Sequence, residues 1–290
     1  MNFIFKKSKI PMVIFTLPLI IIYIIIIIIP LFQAFIMSFT RWDGINEAVF
    51  IGFDNYKRLF SSVDLPIAIR NGIIYSVFLT TYQIGLGTLF AYILSNINIK
   101  GKRFFRNLYF FPVLLSVSVV GQLWVSIYHS DFGLINQLSK NLGFNWSQNW
   151  LVEPIKGILA IVLAESWKGM GYHMLIIYAA MRNVPQSYYE ASLIDGATEI
   201  QQFFKITIPL VSQTIKVCFI MCITFGFRAF ELIFVMTGGG PGNYSYTVPI
   251  MMYKALFKLR EYGYANAISA FIVIICTVIM LVIDKLARTE

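Results

Sequence analysis

Apolar residues in this chain gather in long runs separated by short polar stretches, and roughly 20 apolar residues are what a helix needs to cross the hydrocarbon core of a bilayer. Six such runs, uncharged or nearly so, extend approximately from Pro11 to Met37, Gly72 to Leu94, Leu108 to Tyr128, Gly157 to Met181, Leu210 to Met236 and Tyr264 to Ile283. The pattern predicts an all-α integral membrane protein of six transmembrane helices, forming one domain over residues 1–290. No internal repeat and no low-complexity linker interrupts it; the isoleucine tract Ile24 to Ile29 reads as a lipid-facing surface. The first run follows Lys6, Lys7 and Lys9 as the apolar core of a signal peptide would. It is too long for one, and no small-residue cleavage site follows, so it is expected to stay as a helix.

Composition agrees with this reading, since 58% of residues are hydrophobic and 13% are charged, about half the charge of an ordinary soluble domain. Such a chain can neither solvate a surface nor remain disordered, which leaves the lipid bilayer as its solvent. A net charge of +9 would suggest nucleic acid in a soluble protein. Here the bases punctuate apolar runs, as orientation signals do, so no nucleic-acid partner is expected. Lys6, Lys7 and Lys9 point the amino terminus inward, and Lys100, Lys102, Arg103 and Arg106, with no acid among them, mark the next inward turn. Both termini are therefore expected in the cytoplasm. Outward segments Ser38 to Asn71 and Thr237 to Gly263 mix bases with acids and carry many aromatic residues, which predicts ordered caps on the membrane surface. Cys218, Cys222 and Cys276 all sit in apolar runs, which excludes an extracellular disulfide framework and predicts a packing role.

Charge inside the runs is unevenly placed. The fourth run holds Glu165, Lys168 and His173, the fifth holds Lys216, Arg228 and Glu231, and the other four carry none except at their ends. An intramembrane charge costs at least about 2.5 kcal/mol, so these residues should face a wet cavity or one another. The fourth and fifth runs are thus expected to line a pathway. Glu165 with Lys168, and Arg228 with Glu231, are three apart and would share a helix face, so each pair could equally neutralise itself. Lys216 lies near a membrane edge, where its stem can reach the interface. His173 reads as a hydrogen-bonded wall residue. Trp167, Gly169, Gly171 and Tyr172, with Phe225, Gly226 and Phe230, add the aromatic faces and small residues of a sugar-binding wall; close packing of helices would explain the glycines as well.

Several chemistries are excluded. Gly238, Gly239, Gly240, Pro241 and Gly242 are not followed by Lys-Ser or Lys-Thr, and no phosphate-binding loop, His-Glu-x-x-His, Cys-x-x-Cys or nucleophile elbow occurs. The chain is expected to be no enzyme, and any ATPase must be another chain.

The long inward connection of residues 182–209 holds Glu190-Ala191-Ser192, then Asp195-Gly196, then Ile206-Thr207-Ile208-Pro209. Glu190 to Ile194 and Thr198 to Lys205 predict two short helices, with Gly196 permitting the bend and Pro209 opening the next membrane helix. This stretch resembles the EAA loop of ABC importer permeases. Ser192 and Ile208 stand where that family usually has alanine and leucine. Thr237-Gly238-Gly239-Gly240-Pro241, Trp167-Lys168-Gly169, Phe111-Pro112 and Phe203-Phe204-Lys205 make the chain similar to maltose-type carbohydrate permeases.

The resemblance implies a MetI-like permease fold and a permease subunit of an ATP-driven, binding-protein-dependent oligosaccharide importer. It also implies a second homologous permease, two cytoplasmic ATPase subunits holding ATP and Mg, an extracellular or periplasmic solute-binding protein, and no cofactor or metal on this chain. ATPase coupling falls to Glu190, Ala191, Ser192, Asp195, Gly196, Ile206 and Pro209, and binding-protein contact or outer gating to Gly238, Gly239, Gly240 and Pro241. The sugar-contacting positions of the maltose-type permease align with Glu165, Lys168, Gly169, Tyr172, Cys222, Phe225, Gly226 and Ala229. Glu165, Gly226 and Ala229 replace amides of the maltose pattern, and with Arg228 and Glu231 nearby this predicts a different, charged solute such as an acidic oligosaccharide; self-paired charges would fit a neutral one. An ion-coupled secondary carrier using Glu165 and His173 as a proton site is the alternative from another class. It would show repeated halves, which are not seen here.

Overall fold

The computed structural model describes residues 9–96, 100–144 and 147–286. Lys6 and Lys7, on which the inward amino terminus rests, lie outside the described residues. Among the described residues the regular structure is helical apart from one two-stranded hairpin. Its elements are α1 (Lys9–Tyr23), α2 (Ile29–Met37), β1 (Thr40–Arg41), β2 (Val49–Phe50), α3 (Asp54–Ser61), α4 (Asp64–Asn96), α5 (Lys102–Phe110), α6 (Val117–Ile127) and α7 (Leu134–Asn141). There follow α8 (Lys156–Arg182), α9 (Gln186–Ile194), α10 (Glu199–Gln202), α11 (Ile208–Phe227), α12 (Glu231–Met236), α13 (Val248–Tyr253) and α14 (Tyr262–Leu286).

Four continuous helical stretches among the described residues are long and apolar enough to cross a membrane: Ile14–Met37, Asp64–Ser95, Glu199–Phe227 and Tyr262–Lys285. Helix α8 has the length, 27 residues or about 40 Å, but its polar residues leave it less apolar than these four. The expected run from Leu108 to Tyr128 is not one helix. It breaks into α5 with a short 3₁₀ turn, Phe111–Leu114, and then α6, the two halves bent by 99°. Pro112 and the extended backbone of Leu115 (ψ 141°) end the first half, and Ser116 caps the second by accepting from the Val119 amide. The fifth run also breaks: α11 ends at Phe227, and three residues separate it from α12. Pro209 stands in the first turn of α11, as expected, but the rod does not begin there: it runs on from Glu199 through a wide π turn at Phe203–Thr207.

The chain forms two compact units. One comprises residues 9–61 with Met252–Phe271, and in it Ile14–Met37 buries nothing against the protein. Its polar knot is Asn55, whose amide donates to the Ser38 and Thr40 carbonyls at 2.8 Å each, while the Ser38 hydroxyl meets Tyr56 at 2.7 Å. Arg58 pairs with Glu261 at 2.9 Å and lies over the Tyr264 ring, and that carboxylate raises the guanidinium pKa above its ordinary value.

The other unit, residues 62–251 with 272–286, is centred on α4, α8 and α11. Tyr75, Leu79, Ile158, Ile161, Met174 and Ile177 are fully buried in its core. Small residues set the helix spacing, as lipid-embedded packing requires. A Cβ on Gly226 would lie 2.5 Å from the Ser76 Cα, and one on Gly171 would run into the backbone of Tyr109 and Phe110. Lys216 pairs with Asp284 of α14 at 3.0 Å.

Candidate functional site

A cavity of about 230 Å³ opens where α11 stops. Helix α4 supplies Tyr75, α6 Val117, α8 Glu165 and Lys168, α11 Phe225, the break Arg228, Ala229 and Phe230, and α12 Glu231 and Leu232. The break places Arg228 beside the cavity as the cap of α11, not as a rung of a continuous helix. It also removes the shared helix face on which Arg228 was expected to meet Glu231. Among the described residues no ion pair joins Arg228 to Glu231 or Glu165 to Lys168, so both self-pairings are absent. Four charged side chains therefore converge on one small space. Glu165 is only 7% exposed, a burial that a carboxylate tolerates where a polar partner or wet cavity meets it.

Six expected solute-contacting residues thus line this cavity: Glu165, Lys168, Phe225, Arg228, Ala229 and Glu231. The other four do not. Gly226 is spent on the approach to Ser76, and Gly169 on the approach to the Gln83 side chain. Cys222 lies in a buried polar knot, its thiol 3.4 Å from the Gln83 carbonyl oxygen and 3.1 Å from His173 Nε2. Tyr172 is exposed and stands edge-on to His173. Gln83, whose amide nitrogen donates to the Glu165 carbonyl at 3.1 Å, and Tyr75 escape a reading based on charge, because both are neutral and belong to a run with no charged side chain inside it.

Residues 182–209 fold as one short helix, a glycine turn and the first turns of the rod that continues into α11, so the second expected helix, Thr198 to Lys205, is not a separate element. Helix α9 carries Glu190, Ala191 and Ser192 and ends at Asp195; Gly196 follows with φ +76°, a left-handed value that only glycine adopts without strain. Thr198 then starts α10 with a reciprocal cap, its hydroxyl accepting from the Gln201 amide and the Gln201 side-chain oxygen accepting from the Thr198 amide. Ser192 is more than a tolerated departure. Its hydroxyl accepts from Gln202 Nε2 at 2.8 Å and donates to the Tyr189 carbonyl at 2.8 Å, which ties the two helices together. Tyr189 also meets Thr207 at 3.0 Å, and Tyr92 of α4 donates to the Glu199 carbonyl at 3.1 Å. Glu190, Ala191, Asp195, Gly196 and Pro209 are exposed and Ile206 is half-buried. Beside them Tyr188, Leu193, Ile194 and Ile200 are exposed too, Ile194 to 88%. That apolar patch is of the kind that marks a protein contact.

The glycine loop after α12 is an ordered turn. Gly238 (φ +61°) and Gly239 (φ +90°) use left-handed backbone shapes that other residues adopt only at a cost, and Thr237 meets Ser245 across the turn at 2.7 Å. Buried Asn71, from the start of α4, donates to the Tyr244 and Tyr246 carbonyls at 3.0 and 2.9 Å. A Cβ on Gly239 would press on Ile250 at 2.9 Å, so this glycine serves packing as well as shape. Gly240 and Pro241 complete the turn, with the Ser245 hydroxyl donating to the Gly240 carbonyl.

Residues 83–289 match the family described as binding-protein-dependent transport system inner membrane component. The chain is 31% identical over 287 residues to the probable ABC transporter permease protein YurN of Bacillus subtilis, covering 98% of each. It is 32% identical to the multiple sugar-binding transport system permease protein MsmF of Streptococcus mutans, over 89% of each chain. In fold it is similar to a chain of a bacterial ABC transporter that imports the acidic polysaccharide alginate, with a TM-score of 0.84, 23% identity and coverage of 96% of this chain and 95% of that one.

Proposed function

The chain belongs to the family of binding-protein-dependent transport inner membrane components and is a non-catalytic permease subunit of an ABC importer; from that premise we propose that it forms half of the pathway of an oligosaccharide importer. The observation that carries this reading is the cavity at the break after α11, where Phe225 and Tyr75 stand among Glu165, Lys168, Arg228 and Glu231. Aromatic faces stack on sugar rings, and charged groups bind hydroxyls or carboxylates. At about 230 Å³ the cavity is smaller than most complete small-molecule sites, which begin near 300 Å³. That size suits one wall of a pathway whose other wall is a second, homologous permease.

In this reading two cytoplasmic ATPase subunits dock on the exposed side chains of α9 around Glu190, bind ATP and Mg, and move the Ser192–Gln202 unit as they close. Because Tyr92 and Phe203 join that unit to α4 and α11, the motion reaches the cavity through rigid helices. A solute-binding protein delivers its load on the opposite face, where Gly238 to Pro241 form the outer gate or its docking rim. Both termini and the basic turn from Lys100 to Arg106 lie on the ATPase side.

The solute we propose is acidic. Lys168 and Arg228 have no acid within ion-pair distance among the described residues, so a uronate carboxylate would gain a charge-assisted hydrogen bond. The sugar named for the MsmF relative and the alginate named for the structural neighbour support the substrate class. Affinity capture of this chain from its own membrane should bring down an ATPase and a second permease, with a soluble binding protein joining when solute is present. Solute uptake by this chain alone, driven by an ion gradient, would overturn the reading in favour of a secondary carrier.

A further inference from the structure

A cavity of about 370 Å³, larger than the one at the break after α11, lies wholly within the first compact unit. Its walls come from the hairpin, α3 and the turn into α14, and its charged lining is Arg41, Asp43, Asp54, Arg58, Arg260 and Glu261. The acids are already engaged. Glu261 pairs with Arg58 at 2.9 Å, and Asp54 with Lys57 at 3.0 Å. Asp43 has no basic partner among the described residues, but its carboxylate is committed to the hairpin loop. It accepts from the Ile45 and Asn46 amides at 3.0 and 2.8 Å and from the Asn46 side chain at 2.6 Å, bonds that hold its pKa below the ordinary value. Arg41 and Arg260, by contrast, take part in no ion pair among the described residues.

The backbone at Arg260 is costly. A wide π turn, Lys254–Lys258, follows α13 and leads to Arg260 at φ +57°, a left-handed value that strains an L side chain and costs glycine almost nothing. The amides of Leu259 and Glu261 on either side donate to the Lys254 and Ala255 carbonyls at 3.0 and 2.9 Å, so the surroundings hold that strain in place. An arginine kept where glycine would be cheaper needs a use for its side chain, and strain of this sort clusters at binding sites. Trp42 completes the wall. It is half-buried, with its indole nitrogen donating to the Asn46 carbonyl at 2.8 Å and its ring tilted against Tyr262 at a centroid distance of 5.4 Å.

Size and chemistry select the occupant. A carboxylate alone would use a fraction of this space, whereas the cavity falls in the range of about 300–1,000 Å³ that takes small molecules. Guanidinium groups grip a carboxylate fork to fork, and an indole offers a sugar ring an apolar face. We propose that this cavity is a second solute subsite, which takes a single uronate residue of the oligosaccharide through Arg41, Arg260 and Trp42. The proposal rests on the acidic solute put forward above.

The test uses the whole importer complex in nanodiscs, without its binding protein, and measures how fast phenylglyoxal modifies each arginine by peptide mass spectrometry. Cellobiouronic acid, which carries one carboxylate, should slow modification of Arg41 and Arg260; cellobiose, which carries none, should not. Arg260→Gly removes the guanidinium while easing the backbone, so folding is spared. It should raise the concentration of cellobiouronic acid that half-protects Arg41 about fivefold, the most that one exposed ion pair usually contributes. An unchanged concentration overturns the proposal, as does equal protection by cellobiose. Protection by the binding protein alone, with none by the sugar acid, overturns it in favour of a docking surface. Arg228 reports on the other cavity in the same digest. Protection of Arg228 with Arg41 and Arg260 unprotected refutes this subsite alone, whereas protection of none of the three refutes the acidic solute as well.

Discussion

Gly226 lies among the residues that a sugar-contacting role was expected to explain, and its surroundings give a different cause. Its missing side chain lets α11 lie against Ser76 of α4, where even one methyl group would meet the Ser76 Cα at 2.5 Å and its hydroxyl at 2.6 Å. Gly226→Ala should therefore cost stability before it costs specificity, by the 1–3 kcal/mol typical of an overpacked core. Thermal unfolding of the detergent-solubilised complex should show a lowered midpoint, with solute preference in the surviving complex unchanged. An altered preference at unchanged stability would return this glycine to the cavity wall. Its neighbours follow the same logic: Gly169 makes room for Gln83, and Cys222 belongs to the buried contact with His173 and Gln83.

At the level of elements, the hinge between α9 and α10 is the place where local chemistry and proposed mechanism meet. Gly196 holds φ +76° with nothing within 4 Å of the place a Cβ would take, so a substitution there meets backbone strain and no collision. For a β-branched residue that strain is on the order of 1–2 kcal/mol, small beside the stability of a bundle but large beside the energy that keeps one loop geometry. Gly196→Ile is expected to leave assembly intact and to reduce both stimulated ATP hydrolysis and uptake severalfold. Undiminished uptake by an assembled Gly196→Ile complex would remove the coupling role. Thr198→Ala should act in the same direction but more weakly, since it deletes one half of a capping box worth about 1 kcal/mol.

For the whole molecule the deciding question is which charge the pathway accepts. With the cavity's acids and bases unpaired among the described residues, Lys168→Met and Arg228→Gln should each reduce uptake of a uronate-bearing oligosaccharide about tenfold or more, the loss of a charge-assisted hydrogen bond of 1.5–3 kcal/mol. Uptake of a neutral oligosaccharide, where it occurs, should change far less. Transport of neutral sugars alone by the unaltered complex would refute an acidic solute and leave the fold and the importer reading untouched.

The amino-acid sequence by itself determined that lipid is the solvent, since a chain with 13% charged residues has no other. It also located the apolar runs, the short helix around Glu190 with its glycine bend, and the two runs that carry charge. These properties are local: run length, capping residues and the energetic penalty of charge in hydrocarbon act within a few turns of one helix. Only the tertiary structure decided where those helices stop. The bend at Leu115 and Ser116 and the break after Phe227 sit inside apolar stretches that hydropathy counts as continuous, because hydropathy measures transfer to lipid and is blind to backbone direction. The break in turn decided that Arg228 caps a helix beside the cavity. Partners from distant segments, Gln83 against Gly169 and Ser76 against Gly226, then separated the glycines that pack from the residues that face open space. Such pairings depend on which helix faces cross, and long-range packing sets that choice.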